Sequence, residues 1–485
     1  MHRGNRAAFA GAPRCAALTA LLLSAFAGAA AWPVALRAAS PPIDGAPAPH
    51  ADATPPGASA RAPRIEAPAG SQPDQEPAPV GTLPRAPRGR VRLEGRAFAD
   101  DDGPRPALGA SLLWLAWGYR HDRARLEANL RWLAERGVDF VRALGEVGGE
   151  GWEDRAIDPA WPDYAAVIGG ATALANRCGL RVEWTLFGGG AVRTRDAWRA
   201  AARKAVDALR PVVAGVQFVE IQNEEQGPPP DLARELAAEA RHALGVEVAI
   251  SGTPPAMLAA LYEGSAATVA TVHFDRRAGD DGWQSARQAW DWRNRAGAPP
   301  AFVNNEPAGI ASSVRAENDP VRLASDALVT WIAGGAAYVL HHGAGIHGRE
   351  YTHPTAGRRR ANAWEQPALA DALGIIARIR SVLPGDIAAW EKAENRGQPP
   401  DPVPPFRFPA DLLGARPGGP RGLAGAFTAM RGPEFFTVVL GARGDAAAEE
   451  VRPVTATVRE LREWVERPWP GRLAGADSTY LVHGR

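Results

Sequence analysis

The 485-residue chain sets 55 Lys+Arg against 54 Asp+Glu, a net charge of +1, and is 46% hydrophobic. That is enough apolar material for a large core and more than one domain, and the near-neutral balance excludes the basic surface that a nucleic-acid partner requires. Its two cysteines, Cys15 and Cys178, exclude a disulfide framework; Cys178, just before Gly179, reads as small buried filler at a helix end.

Residues 1–31 read as an export signal. Arg3, Arg6 and Arg14 supply a positive start, Cys15–Ala31 is uncharged and mostly apolar, and Ala27-Gly28-Ala29 and Ala29-Ala30-Ala31 are small-x-small cleavage sites. The expected location is secreted or periplasmic. The alternative is an uncleaved anchor running on to Leu36, the one membrane contact the sequence suggests. Residues 32–89 read as a Pro/Ala-rich linker: Pro41–Pro87 holds 13 prolines in 47 residues and no Phe, Trp or Tyr, too little apolar surface to offset chain entropy.

A folded body is expected from residue 90. Val91–Phe98 alternates like a strand, and Asp101-Asp102-Gly103 turns it into a hairpin. Eight strand-like runs follow: Ala107–Trp114, Phe140–Leu144, Arg181–Phe187, Val216–Gln222, Glu247–Ser251, Thr268–Phe274, Ala301–Asn305 and Ala336–His341. Helical patterns lie between them. Asp122 opens one with Leu126, Leu130 and Leu133 on one face; Asp231 opens another, stopped by Gly245; Asp319-Pro320 opens a third. Eight strand–helix alternations over residues 90–390 predict an α/β fold, a (β/α)₈ TIM barrel. An open doubly wound sheet would need a glycine-rich phosphate turn, and Gly188-Gly189-Gly190 has neither its spacing nor its lysine. Pro399–Pro409 reads as a linker, and residues 400–485, with Gly425–Met430, Phe435–Leu440, Val454–Val458 and Thr479–Val482 between Gly/Pro turns, predict a small C-terminal antiparallel β-domain.

Working residues of such a barrel sit at the C-terminal ends of its strands. Two runs carry a strand straight into a glutamate there: Phe218-Val219-Glu220-Ile221-Gln222-Asn223-Glu224 and Ala301-Phe302-Val303-Asn304-Asn305-Glu306. Strand alternation turns Glu220 inward below Glu224, where it needs a partner such as Arg142. Two facing carboxylates can divide glycoside cleavage, one protonating the leaving oxygen and the other attacking the anomeric carbon.

These residues resemble the clan A glycoside hydrolases, the retaining (β/α)₈ superfamily of cellulase-like and β-glucosidase-like enzymes. The resemblance covers residues 90–385 and makes Glu224, in Asn223-Glu224 at the end of strand four, the acid/base. It makes Glu306, at the end of strand seven, the nucleophile. Arg142, in Val141-Arg142-Ala143, corresponds to the strand-two arginine that keeps the nucleophile ionised. His273, in Val272-His273-Phe274-Asp275, stands where strand six offers the nucleophile a donor, and Asn223 would bond the sugar 2-hydroxyl. Where the clan often closes the site with a tryptophan after strand eight, this chain has Tyr338-Val339-Leu340-His341-His342, which puts His341 at the sugar and leaves the glycan open. In this scheme Glu306 needs a low pKa from Arg142 and His273, and Glu224 a raised one from the charge of Glu306. Trp114, Trp117, Trp152 and Trp283, in or near βα loops, are the stacking candidates. No cofactor is required, and a carbohydrate is the expected partner.

Two other functions fit the composition. A metal-dependent barrel hydrolase could draw on His273, Asp275, His341, His342, His347 and His353, although no His-x-His opens the first strand and the adjacent His341-His342 point opposite ways. A carbohydrate-binding barrel without catalysis is the other, against which stands the cost of keeping two buried carboxylates without a task.

Overall fold

The computed structural model describes residues 86–485 except 150, 191, 225, 253–260, 277–282, 294–296, 313–315, 354–356, 395–402, 409–423, 444–445 and 474–475. The export segment, almost all of the Pro/Ala-rich segment and residues 399–402 and 409 of the expected linker Pro399–Pro409 lie outside the described residues; the rest of that stretch is not a bare linker, since Phe406–Arg407 pairs with Glu449–Glu450 and Phe406 and Phe408 are buried. No helix among those described is long and apolar enough to cross a membrane.

The chain enters as three short antiparallel strands, β1 (Arg92–Glu94), β2 (Ala97–Asp100) and β3 (Gly103–Arg105). Val91–Phe98 is therefore not one strand: Gly95, at φ +63°, turns the chain inside it. Eight parallel strands follow: β4 (Ala107–Ser111), β5 (Phe140–Leu144), β6 (Arg181–Phe187), β7 (Val216–Gln222), β8 (Val248–Gly252), β9 (Val269–Val272), β10 (Ala301–Asn304) and β11 (Gly335–Leu340). Each pairs with the next and β11 pairs with β4, closing the barrel. The expected eight strands are all present, with boundary differences of up to three residues.

Helices cover the outside because their apolar faces follow a helical period. In Pro230–Leu244, Leu232, Leu236, Ala240 and Leu244 are all buried, and Gly245 ends the helix in the left-handed region at φ +63°. Asp319 caps Pro320–Ile332 through Oδ1 to the Val321 N–H at 2.9 Å. Asp231 lies inside the first turn behind Pro230 and pairs with Arg195 at 2.7 Å instead of capping, and the Asp122 carboxylate accepts from Arg125 Nε at 2.6 Å. Cys178 is buried at the end of Tyr164–Arg177, its thiol pushed up to about 11 by that burial.

Inside the barrel, side chains stack in layers. The N-terminal end is filled by Phe140, Phe218, Val269 and Val303, and Phe98 of β2 plugs it, stacked on Phe218 with centroids 5.6 Å apart. Position 109 must be glycine, since a Cβ there would stand 2.6 Å from the Phe140 ring. Two residues further along the same strands the layer turns ionic, with Arg142 on β5, Glu183 on β6 and Glu220 on β7.

The tail forms a six-stranded antiparallel sheet in the spatial order Glu391–Glu394, Gly425–Arg431, Glu434–Arg443, Ala476–Gly484, Ala456–Glu460, Glu466–Pro468. Its strands alternate between two buried faces. Phe427, Phe436, Val438 and Leu481 join the barrel's helical core, where Trp290 meets Phe427 at 4.8 Å; Phe435, Val439 and Val482 close with Phe406 into a second core.

Candidate active site

The site is assembled from the C-terminal ends of the barrel strands. Arg142, fully buried, is its hub. Its Nη1 reaches Glu306 Oε1 at 2.5 Å, and its Nη2 reaches Glu220 Oε2 at 3.0 Å and Asn223 Oδ1 at 2.7 Å. Its Nε lies 3.4 Å from Glu183. Glu220 also accepts from Thr185 Oγ and, at 3.0 Å, from Asn305 Nδ2. Burial opposes the charge of Arg142, but Glu220, Glu306 and Glu183 outweigh it, and its pKa rises. Burial, then the charge of Glu220, pushes Glu183 well above the usual carboxylate range, against the opposing pull of Arg142.

Glu306 follows β10. Besides Arg142 it faces Arg276, whose Nη2 stands 3.3 Å from Oε2. Burial would raise its pKa, but its neighbour His273 and the charges of Arg142 and Arg276 hold it well below the ordinary range. Glu224 follows β7 in the left-handed region at φ +54°, which costs a non-glycine residue on the order of 1 kcal/mol. Gln222 Nε2 bonds the Glu224 carbonyl at 2.7 Å and the Glu224 N–H donates to Ser251 Oγ at 3.3 Å, holding that turn. His273 Nδ1 bonds Glu224 Oε1 at 2.9 Å, and His273 Nε2 lies 3.4 Å from Ser251 Oγ.

Six of the predicted residues converge: Arg142, Asn223, Glu224, His273, Glu306 and His341. His341 Nδ1 is 2.8 Å from Ser111 Oγ, its Nε2 is buried without a partner, and burial drives its pKa well below the usual value, leaving a neutral ring. Asn223 gives its oxygen to Arg142, so its amide N–H₂ is left to donate.

Two expectations are corrected. His273 does not bond Glu306, which lies 3.8 Å away, but Glu224. For that reason the Glu224 pKa is lowered rather than raised: the His273 hydrogen bond outweighs both burial and the charge of Glu306. The aromatic assignments also change. Trp114 is 0% exposed, with its Nε1 on Ala344 O and Arg125 over its ring, and Trp283 is buried in the core, so neither offers a face to a ligand. The Trp117 ring is covered by the Arg155 guanidinium at 4.0 Å. Trp152 packs edge-on to His347 at 4.6 Å.

Sequence reasoning missed Glu183 and Arg276. Glu183 was legible, since Arg181, Glu183 and Thr185 alternate on one face of β6. Arg276 was not, because it lies in a loop whose path no local pattern sets.

One atom each of Glu224, His273 and Glu306 lies within 4.8 Å of the others, close enough to surround a small cation. The charge balance opposes that use: guanidinium groups stand on both Glu306 oxygens, so a metal ion would have to displace one cation and repel the other. The same distance suits two carboxyls acting from opposite sides of one glycosidic bond.

No family model and no curated protein matches the chain. Solved structures do. One described as a glycoside hydrolase is 10% identical, with a TM-score of 0.53 over 81% of this chain and 96% of its own. A family 5 glycoside hydrolase from Bacteroides vulgatus is 10% identical, with a TM-score of 0.55 over 81% of this chain and 93% of its own. At that identity the likeness is one of fold: the chain shares with them a (β/α)₈ barrel, here followed by a C-terminal antiparallel β region.

Proposed function

We propose that the chain is an exported, retaining glycoside hydrolase that cleaves O-glycosidic bonds of an oligo- or polysaccharide by double displacement through Glu224 and Glu306. The observation that carries this reading is the approach of the two carboxyls, within 4.8 Å at their nearest oxygens, at the mouth of a barrel of this fold. Retaining enzymes hold theirs about 5 Å apart, whereas inverting ones leave roughly 6.5–9.5 Å for a water.

Glu306, ionised between Arg142 and Arg276, attacks the anomeric carbon. The proton for the leaving oxygen comes from Glu224: when the bound glycan excludes water, desolvation raises its pKa, its carboxyl takes up a proton, and it gives that proton to the departing oxygen. Glu224, now a carboxylate, takes a proton from the incoming water, whose oxygen displaces Glu306 from the anomeric carbon. Asn223 Nδ2, oriented by Arg142, is free to donate to the sugar.

The test is a screen of the purified protein against β-linked oligosaccharides and aryl glycosides, with the anomer formed first read by proton NMR. Cleavage with retained configuration is expected. An inverted first product rejects the double displacement, and tight binding of a glycan without cleavage supports the carbohydrate-binding alternative.

A further inference from the structure

Beside the candidate active site, the loop after β5 and the segment after β11 bring three guanidinium groups together. The short helix Gly343–His347 leads from β11 into Arg349, Tyr351 and Arg359, and Trp152 and Arg155 come from the loop after β5. Arg349 and Arg155 share Asp154, at 3.0 and 3.9 Å. Arg349 and Arg359 both lie against the Tyr351 ring, at 5.6 and 5.3 Å. Arg359 Nη1 stands 3.3 Å from His347 Nδ1, and Trp152 packs on the same imidazole.

The cluster is short of acceptors. Arg359 is 2% exposed; its Nε donates to Ala311 O, its Nη2 has no partner, and no carboxylate among the described residues accepts from it. Arg155 Nη1 and Arg349 Nε are likewise buried without a hydrogen bond, and Arg155 Nε has only its 3.9 Å ion pair with Asp154. Arg349 Nη2 rests on the neutral Gly151 carbonyl at 3.1 Å. Of the nearby acidic side chains, Asp154 is exposed and accepts one hydrogen bond, from Arg349 Nη1, while Glu153 is exposed and accepts from the Gly151 N–H. Burial and the three neighbouring guanidiniums hold His347 at about 4, so it is a neutral acceptor for Arg359. Buried cationic N–H groups without acceptors are costly, and a carboxylate or sulfate ester matches them in charge and in fork geometry. Trp152, half-buried with its edge contact to His347, adds an aromatic ring beside the three guanidiniums.

We infer that Arg155, Arg349 and Arg359 form a subsite for an oxyanion carried by the glycan, so that the substrate is an acidic oligo- or polysaccharide bearing carboxylate or sulfate groups. The inference rests on the glycan-directed reading above and names the substrate class for it.

The test measures binding, not turnover. A neutral β-1,4-glucan tetrasaccharide, an oligouronate of the same length and a sulfated tetrasaccharide are titrated calorimetrically onto the full chain and onto the Arg155→Met/Arg349→Met double variant. Arg359 is left in place because it supports the Ala311 turn, and unchanged melting of the variant confirms its folding. One acidic ligand should bind about tenfold or more tighter than the neutral one, weaken with added salt, and fall to the neutral level in the variant. The arm that responds tells uronate from sulfate. Equal binding of all three, no binding of either acidic ligand, or an acidic preference that survives the double substitution overturns the subsite. A chain that binds acidic ligands but cleaves none keeps the subsite and loses the hydrolase, whereas cleavage of neutral glycans without charge preference does the reverse.

Discussion

The two ends of the barrel are made by the same strands to opposite specifications. At the N-terminal end Phe140, Phe218, Val269 and Val303 close on Phe98 in a wholly apolar layer. Two residues on, about 7 Å along the same strands, Phe140 gives way to Arg142, Phe218 to Glu220 and Val303 to Asn305. A little further up, Glu224 sits in a left-handed conformation, and Arg276 and His341 each leave a buried nitrogen unpartnered. The floor is built as a protein interior is built for stability, with packing and no polar obligations. The mouth keeps like charges, strain and unmet hydrogen bonds, which are costs a fold tolerates where a ligand completes the arrangement.

Substitutions at the two ends should therefore fail differently. The largest effect is expected at the mouth: Glu306→Ala should lower kcat/KM by on the order of 10⁵–10⁶, with azide restoring part of the turnover by occupying the vacated position. An unimpaired Glu306→Ala protein removes the nucleophile assignment. Glu224→Ala should cost about 10²–10⁴ on unactivated oligosaccharides and far less on aryl glycosides with good leaving groups, a contrast that steady-state kinetics on the two substrates reads directly. At the floor, Phe218→Ala should destabilise by about 3–5 kcal/mol in chemical denaturation while leaving kcat near its original value. If it abolishes kcat in the folded protein, the two ends are not separable.

The smallest effects are shifts along the pH axis. Glu306 is held well below the ordinary range, so the acid limb of kcat/KM should fall below the unperturbed glutamate value of about 4.3. Arg276→Met removes one of the charges holding the carboxylate ionised and should move that limb to higher pH, with kcat changed less than the limb. An unmoved limb shows that Arg276 does not act on Glu306. His273→Gln removes the donor that depresses Glu224, so the alkaline limb should move upward. Stability follows the same sign. Folding lowers the pKa of Glu306, so its contribution is present above the unfolded value and is lost as the pH falls through the folded one. Thermal melts below about pH 4 should show the loss in the native chain and less of it in Glu306→Gln.

Much of this was legible in the sequence, for reasons that are local. Strand alternation sends residues i and i+2 to one side, so Arg142 and Glu220 had to face the barrel axis once their strands were recognised, and Asn223-Glu224 and Glu306 had to fall at strand ends. What sequence reasoning missed was of another kind. Trp114 looked like a sugar platform because it follows a strand, yet the helix Leu115–His121 begins at once and tucks the ring beneath Ala344, more than two hundred residues away in the chain.

The sequence by itself determined the order of strands and helices, the inward face of each strand and the residues at each strand's end, because these follow from backbone geometry over a few residues. Only the tertiary structure decided that His273 bonds Glu224 rather than Glu306, that Arg276 becomes the second cation on Glu306, and that Arg155, Arg349 and Arg359 gather beside the site. Those contacts join loops from different strands, and their distances exist only once the barrel has closed.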